Sequence, residues 1–180
     1  LVQLRAMLQA GAEGKQLSIL LPMVSNLDEI DQALAYLEQA YVELKNDVNS
    51  NIEMPRIGIM LEVPAMLYQL DEVAKRVDFV SVGSNDLTQY LLAVDRNNPR
   101  VSSLFDSYHP GILRALHQAR IDCEYHHLDI SICGELAGEP MGAILLVAMG
   151  YNQLSMNQGS LARINYLLRR VSGDDLAQLL

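Results

Sequence analysis

The sequence predicts an α/β fold in which about five parallel strands alternate with helices, as in part of a (β/α)8 TIM barrel. Short apolar runs alternate with longer amphipathic segments, and no pair of runs is joined by a hairpin turn signal. Such alternation requires crossover helices, and crossover helices produce a parallel sheet. Polar residues follow most of the runs, as is typical at the mouth of a barrel. The alternative, an open doubly wound sheet, is weakened because no Gly-rich dinucleotide motif follows a strand.

The 180 residues suffice for one domain with a sizeable core. A complete barrel typically needs about 250 residues, so we expect residues 1–180 to form one partial barrel domain, about five units of the second half. The segment from Leu1 to Ala10 has the pattern of a helix interior, with Leu4, Met7 and Leu8 on one stripe. We therefore expect the chain to be a fragment of a longer protein.

The N-terminal elements are predicted from glycine and proline residues that end helices or strands, and from the spacing of apolar residues. Gly11 and Gly14 end the first helix. Apolar residues at 17–24 indicate a strand closed by Pro22, and apolar spacings of three and four at 27–44 indicate a long amphipathic helix. The polar segment 45–55 is the best loop candidate.

The remaining segments repeat this strand and helix pattern. Pro64 opens a helix directly after the second strand. The predicted later strands are 56–63, 78–83, 129–134 and 153–157. The predicted later helices are 86–94, 111–126, 140–149 and 161–171, with a loop at 95–107 and a tail at 174–180 that could be helical.

Composition argues against nucleic-acid-binding, membrane-spanning and secreted disulfide-rich proteins. Half of the residues are hydrophobic and the net charge is -9, which argues against a nucleic-acid surface. No apolar run approaches the ~20 residues that span a bilayer, and no secretory signal is visible. Cys123 and Cys133 have no spacing typical of a disulfide framework. We expect a cytoplasmic protein that does not act at a membrane.

Two carboxylates follow neighbouring predicted strands. Glu62 follows the apolar run IGIM at 57–60, near the end of the predicted strand 56–63, and Asp86 comes after the strand at 78–83. Two hard oxygen ligands with open positions left over suit Mg²⁺ bound together with a phosphorylated substrate. The alternative is that each is an ordinary acid at a helix N-terminus, favoured by the helix dipole. For the pair on adjacent strands, the metal interpretation is favoured.

Three further side chains could take part in chemistry. Arg96, in a loop beyond the short helix, could clamp a phosphate, or it could be a solvated surface residue. Cys133 ends an apolar strand, where it could be a small core residue or a thiol that gives a proton to a carbanion or enolate. Arg5 lies on an amphipathic segment, where an arginine usually lies at the surface with its charge in water.

Several sequence blocks resemble a known family. They lie at 58–64 (GIMLEVP), 78–90 (DFVSVGSNDLTQY), 93–97 (AVDRN) and 133–138 (CGELAG). They resemble the phosphoenolpyruvate (PEP)-binding domain of Enzyme I, the PEP–protein phosphotransferase of the bacterial phosphotransferase system. The resemblance covers nearly the whole chain. Blocks at 106–110, 162–163 and 166–170 are more similar to the nitrogen-related branch than to the sugar branch.

The resemblance implies a TIM barrel that binds PEP and Mg²⁺. It implies Glu62 and Asp86 as metal ligands, Asp86 also lying at the substrate, and Cys133 as the acid that protonates the pyruvate enolate. It further implies Asn85 and Arg96 as contacts of the substrate phosphate, and Arg5 as an additional substrate-binding arginine.

The resemblance also implies partners outside these residues. They are PEP and pyruvate, a phosphorylatable histidine on an upstream domain, a small phosphocarrier protein and a second copy in a homodimer. No segment here matches the histidine motif, so we expect this piece alone to lack turnover. The alternatives are a domain of a pyruvate phosphate dikinase or PEP synthase, and a non-catalytic PEP-sensing or dimerisation module.

Overall fold

In the computed structural model, which describes residues 1–12, 16–47, 52–173 and 176, five parallel strands form one sheet. The strands are β1 (Ser18–Leu21), β2 (Arg56–Leu61), β3 (Phe79–Gly83), β4 (Asp129–Cys133) and β5 (Leu154–Ser155). The helices are α1 (Val2–Gly11), α2 (Leu27–Asp47), α3 (Leu70–Val73), α4 (Ser84–Leu91), α5 (Pro110–Tyr125), α6 (Glu135–Gly138), α7 (Pro140–Ala148) and α8 (Gln158–Leu168). Two 3-10 helices lie at Pro64–Gln69 and Ser102–Leu104.

The order of the strands in the sheet is their order in the chain. Since crossover connections are right-handed, a sequential order places the connecting helices on one face of the sheet. A doubly wound sheet instead reverses its order and carries helices on both faces. The predicted α/β fold with parallel strands is therefore confirmed, and its order matches an arc of a barrel.

The two faces of the sheet differ in side-chain chemistry. The face toward the helices consists of buried branched residues: Ile57, Ile59, Leu61, Val80, Val82, Ile130 and Ile132. The opposite face carries the aromatic ring of Phe79 together with small, polar or flexible residues: Gly58, Met60, Ser81, Ser131 and Cys133. The hydrophobic core thus lies between sheet and helices, and the functional side chains lie along one rim of the other face.

Most predicted elements are confirmed, and their differences from prediction have local causes. The segment after Pro64 begins as a 3-10 helix and becomes α-helical only at Leu70. Helix α4 begins at Ser84, two residues earlier than predicted, because β3 passes into it without a loop. Helix α2 continues to Asp47, through part of the predicted loop.

Other differences concern short elements. The predicted strand 17–24 is shorter, because the chain turns after Pro22 and Met23 has a φ of 55°. Helix α6, a single turn after β4, was not predicted from the sequence. Strand β5 is only two residues long, although five were predicted.

Some predictions fall on segments that the structure does not describe. These are the helix end at Gly14, part of the loop at 45–55, and most of the tail at 174–180. Among the described helices, none has the length and apolarity needed to cross a lipid bilayer.

Candidate functional site

The candidate site lies where β2, β3 and β4 end. Glu62 directly follows β2, and Asn85 and Asp86 occupy the first turn of α4 directly after β3. Cys133 is the last residue of β4. Because the carboxyl ends of parallel strands share one edge of the sheet, these side chains come from three adjacent strands to one rim.

The strand register brings the rim residues to the same level. Leu61 pairs with Val82, and Gly83 pairs with Cys133. Glu62 therefore lies level with Gly83, one residue beyond the last β2–β3 pair. A Cβ atom on Gly83 would lie 2.5 Å from Oε2 of Glu62. Gly83 is thus the residue that allows the Glu62 carboxylate to lie against β3.

Glu62 is a buried carboxylate with a single backbone donor. It is only 5% exposed, and its Oε1 accepts a 2.8 Å hydrogen bond from the Met23 N–H, beyond the end of β1. Burial raises the pKa of Glu62, the Met23 N–H opposes the rise, and the negative charge of Asp86 adds to it. The two carboxylates come from the ends of adjacent strands, where each disfavours the ionised form of the other.

Asp86 and Arg96 form an ion pair at the same rim. The guanidinium of Arg96 lies 3.3 Å from Oδ1 of Asp86, and both side chains are 35% exposed. The backbone N–H of Arg96 donates to Oε1 of Gln89 at 3.2 Å. The loop arginine suggested by the sequence is therefore brought directly to one of the two suggested carboxylates.

Asn85 and Cys133 are joined through the turn that follows β4. The Glu135 N–H donates to Oδ1 of Asn85 at 3.2 Å, and the Ser84 hydroxyl donates to the carbonyl of Cys133 at 2.8 Å. Gly134, which lies between Cys133 and Glu135 in the chain, has a φ of 118°, and a Cβ there would overlap the Ser84 hydroxyl. Only glycine fits this position, both in conformation and in space.

The thiol of Cys133 lies within this rim and is partly buried. Its sulfur lies 3.4 Å from the carbonyl oxygen of Val82 and 3.6 Å from the sulfur of Met60. Burial raises the pKa of Cys133, a hydrogen bond to Ser81 opposes the rise, and the charges of Glu62 and Asp86 add to it. The thiol is therefore protonated at neutral pH, as a proton donor must be.

Arg5 is not brought to this group. It lies on α1, and its guanidinium forms an ion pair with Glu43, near the end of α2. Since α2 leads the chain back to the amino end of β2, Glu43 lies toward the opposite end of the strands. The substrate role that the family resemblance gave to Arg5 has no supporting contact among the described residues and stays a prediction.

A metal at this rim would have few protein ligands. No group of three or more His, Cys, Asp or Glu in the described part of the chain could hold an ion. The two carboxylates fit Mg²⁺, which binds through one or two carboxylates and completes its shell with water and substrate phosphate oxygens. A cation between Glu62 and Asp86 would also offset the repulsion that raises the pKa of Glu62.

Four residues of the site were not singled out from the sequence. They are Gly83 and Gly134, which make room, Ser84, which ties β3 to β4, and Gln89, which contacts the Arg96 backbone. The two glycines could have been found from the sequence, because each stands between the end of an apolar run and the start of the next helix. The roles of Ser84 and Gln89 depend on contacts that sequence spacing does not predict.

Comparisons with known proteins identify relatives of nearly the whole chain. The family model described as "PEP-utilising enzyme, PEP-binding domain" matches residues 1–172. An Escherichia coli K12 protein named "Phosphoenolpyruvate-dependent phosphotransferase system" is 53% identical over 181 residues, covering 99% of this chain and 24% of that protein. The Salmonella typhimurium protein of the same name is 52% identical over 179 residues, again 99% of this chain and 24% of that protein.

Solved structures with little sequence similarity have the same fold. A citrate lyase from Burkholderia xenovorans LB400 superposes with a TM-score of 0.61 at 17% identity, covering 83% of this chain and 48% of that chain. The malate synthase of Haloferax volcanii gives 0.62 at 11% identity, covering 98% and 55%. The chain spans about a quarter of the length of the curated relatives it matches. It belongs to the family of PEP-binding domains of PEP-utilising enzymes.

Proposed function

We propose that this chain is the PEP-binding part of a PEP–protein phosphotransferase. The enzyme would move the phosphoryl group of PEP to a histidine of its own upstream domain and then to a small phosphocarrier protein, releasing pyruvate. The observation that carries the proposal is the convergence of Glu62, Asp86, Arg96 and Cys133 on one rim of the sheet. The names of the relatives that are 52–53% identical favour a phosphotransferase over a dikinase.

In this proposal Arg96 and Asn85 bind the phosphate of PEP. Arg96 can offer parallel N–H donors to phosphate oxygens, a geometry that favours anionic oxygens over water. Asn85 uses its amide oxygen for the Glu135 N–H, which leaves its amide nitrogen to donate to the substrate. Phosphoryl transfer depends mainly on such positioning and on neutralisation of charge.

Glu62 and Asp86 would hold Mg²⁺ next to this phosphate. The bound ion would neutralise charge on the phosphate oxygens and on the enolate oxygen. Burial of Glu62 keeps the carboxylate in a medium where its attraction to a cation is stronger than in water. The Met23 N–H fixes Oε1 of Glu62, and Oε2 lies beside Gly83 with no hydrogen bond among the described residues.

Cys133 would complete the reaction as the acid. When the bond between phosphorus and the enol oxygen breaks, its electron pair stays with the oxygen and forms the pyruvate enolate. The Cys133 thiol then gives its proton to the methylene carbon of the enolate, which becomes the methyl group of pyruvate, and the thiolate regains a proton from solvent. The raised pKa of Cys133 keeps that proton in place until it is needed.

Finer assignments rest on the family alone. We propose a cytoplasmic enzyme that acts as a homodimer, and the nitrogen-related branch on the blocks at 106–110, 162–163 and 166–170. The substrate role of Arg5 belongs to the same group of proposals.

The proposal is tested by titrating the protein with PEP in a calorimeter, with Mg²⁺ and then with a chelator. We expect binding that requires the metal, and we expect Asp86→Asn to weaken it by about 100-fold or more, since even an outer-shell change costs 10–100-fold. Asp129→Asn is the matched control, because Asp129 pairs with Arg56 at the opposite end of the strands. Equal affinity with and without metal, or an Asp86→Asn variant that binds like the control, would contradict the proposal.

A further inference from the structure

The loop that carries Arg96 leaves α4 through a tight left-handed turn. Ala93 has a φ of 53°, its N–H donates to the carbonyl of Tyr90, and the Val94 N–H donates to the carbonyl of Gln89 at 2.9 Å. This pair of hydrogen bonds is the Schellman motif that ends many helices, normally with glycine at the left-handed position. Alanine is strained there. The turn must therefore be held by its surroundings, which include the buried side chain of Val94.

Gln89 holds this loop at two points. Its main-chain carbonyl accepts from the Val94 N–H, and its side-chain Oε1 accepts from the Arg96 N–H at 3.2 Å. Asp86 lies one turn earlier on the same side of α4, where it contacts the guanidinium of Arg96 at 3.3 Å. Arg96 is thus held at its backbone by Gln89 and at the end of its side chain by Asp86.

We propose that Gln89 is a positioning residue that fixes the backbone of Arg96 so that the guanidinium meets the phosphate of PEP. The inference rests on the proposed function, in which Arg96 binds that phosphate. Gln89 acts only through Arg96 and has no contact of its own with the substrate. An arginine on a half-exposed loop has many accessible rotamers, and a fixed backbone lowers the entropy that substrate binding must overcome.

The side-chain acceptor can be removed and restored without changing the helix. Gln89→Met keeps the length and helix propensity of the side chain but replaces the oxygen acceptor with a thioether, a weak acceptor, whereas Gln89→Glu keeps an oxygen acceptor. We expect Gln89→Met to weaken Mg²⁺-dependent PEP binding about fivefold, the effect of one hydrogen bond. We expect Gln89→Glu to restore most of the affinity.

Gln118→Met is the matched control. Gln118 is an exposed glutamine on α5 whose side chain donates to Asp122 at 2.8 Å, and it has no contact with the loop of Arg96. We expect this variant to bind PEP like the unaltered protein. Thermal unfolding midpoints of all variants are compared in the same experiment, since an effect of Gln89→Met on PEP affinity with an unchanged midpoint reports positioning rather than loss of folding.

A double-mutant cycle with Arg96→Ala separates this inference from the proposed function. If Gln89 acts through Arg96, Gln89→Met has no further effect on PEP affinity once Arg96 is alanine. Equal effects of Gln89→Met in both backgrounds, equal affinities of Gln89→Met and Gln89→Glu, or no loss in Gln89→Met would overturn the inference alone. No loss of PEP affinity in Arg96→Ala would overturn the phosphate role of Arg96, and the role of Gln89 with it.

Discussion

The amino and carboxyl ends of the same strands carry charge in different ways. At the amino end, the Arg56 guanidinium donates to Asp129 at 2.6 Å and lies over the ring of Phe79 at 5.4 Å. The carboxylate of Asp78 accepts from the Ile57 N–H at 2.7 Å. Each of these three charges has a nearby group of opposite polarity, so their polar groups are already satisfied.

At the carboxyl end, negative charge exceeds positive charge. Glu62 is buried with one backbone donor, and Asp86, which repels it, pairs with the guanidinium of Arg96. Such an arrangement costs stability in isolation and gains from a cation and an anionic substrate that bind together. Unsatisfied charge, rather than the mere presence of charged residues, therefore distinguishes the proposed functional end of this sheet.

We expect the largest difference between variants of the two cysteines, in the rate of pyruvate formation. Cys133→Ala should slow pyruvate formation by the complete enzyme about 100-fold or more, because general acid catalysis contributes 10²–10⁴-fold. The affinity for PEP should change far less, since the thiol is assigned to the second half of the reaction. Cys123→Ala is the control: Cys123 is fully buried in α5, so this variant should lose stability and keep the rate.

Single-turnover kinetics and calorimetry on the two variants check this expectation. Parallel losses of rate and PEP affinity in Cys133→Ala would argue against a proton donor and for a residue that merely shapes the pocket. A slow Cys123→Ala variant with full stability would remove the distinction between the two thiols.

A smaller difference is expected between alanine variants of two glycines on the same face of the sheet, in their affinity for PEP. A Cβ at Gly83 would lie 2.5 Å from Glu62, and a Cβ at Gly58, toward the amino end, would overlap the Phe79 ring. Either alanine variant should lose about 1–3 kcal/mol of unfolding free energy through overpacking. Only Gly83→Ala displaces a proposed metal ligand, so only this variant should also lose Mg²⁺-dependent PEP affinity.

Chemical denaturation gives the two stabilities, and calorimetry below the unfolding transition gives the two affinities. An equal loss of PEP affinity in both variants would mean that packing strain anywhere on this face lowers the affinity, whether or not it displaces Glu62. Unchanged affinity in Gly83→Ala would mean that Glu62 can move without consequence, contrary to its assignment as a ligand.

The sequence was sufficient for those features that depend on periodicity and on strand ends. Alternating apolar runs predicted the parallel sheet, and the position of Glu62 after its strand predicted the rim on which it lies. Sequence reasoning failed where the outcome depends on three-dimensional contact. The left-handed turn at Ala93 could not be predicted because it contains no glycine, the usual residue at such a position. The ion pair of Arg5 with Glu43 could not be predicted because the two residues are 38 positions apart.

The smallest expected effect is the pH dependence of stability in metal-free buffer. The pKa of Glu62 is raised by burial, so the folded state keeps a proton that the unfolded chain has already lost. Stability therefore falls as the pH rises from the ordinary glutamate pKa through the raised value. Glu62→Gln removes this loss, and the variant should gain stability relative to the unaltered protein across that window.

Glu72 supplies the opposite case. Its pKa is lowered by hydrogen bonds to Lys75 and Arg76, so its contribution to stability is present above the ordinary glutamate pKa and is lost as the pH falls through the lowered value. Urea denaturation of Glu62→Gln and Glu72→Gln from roughly pH 3 to 7 should give differences from the unaltered protein of opposite sign. A flat difference for Glu62→Gln would mean that this carboxylate is solvated after all, and the contrast between the two ends of the sheet would then rest on Asp86 alone.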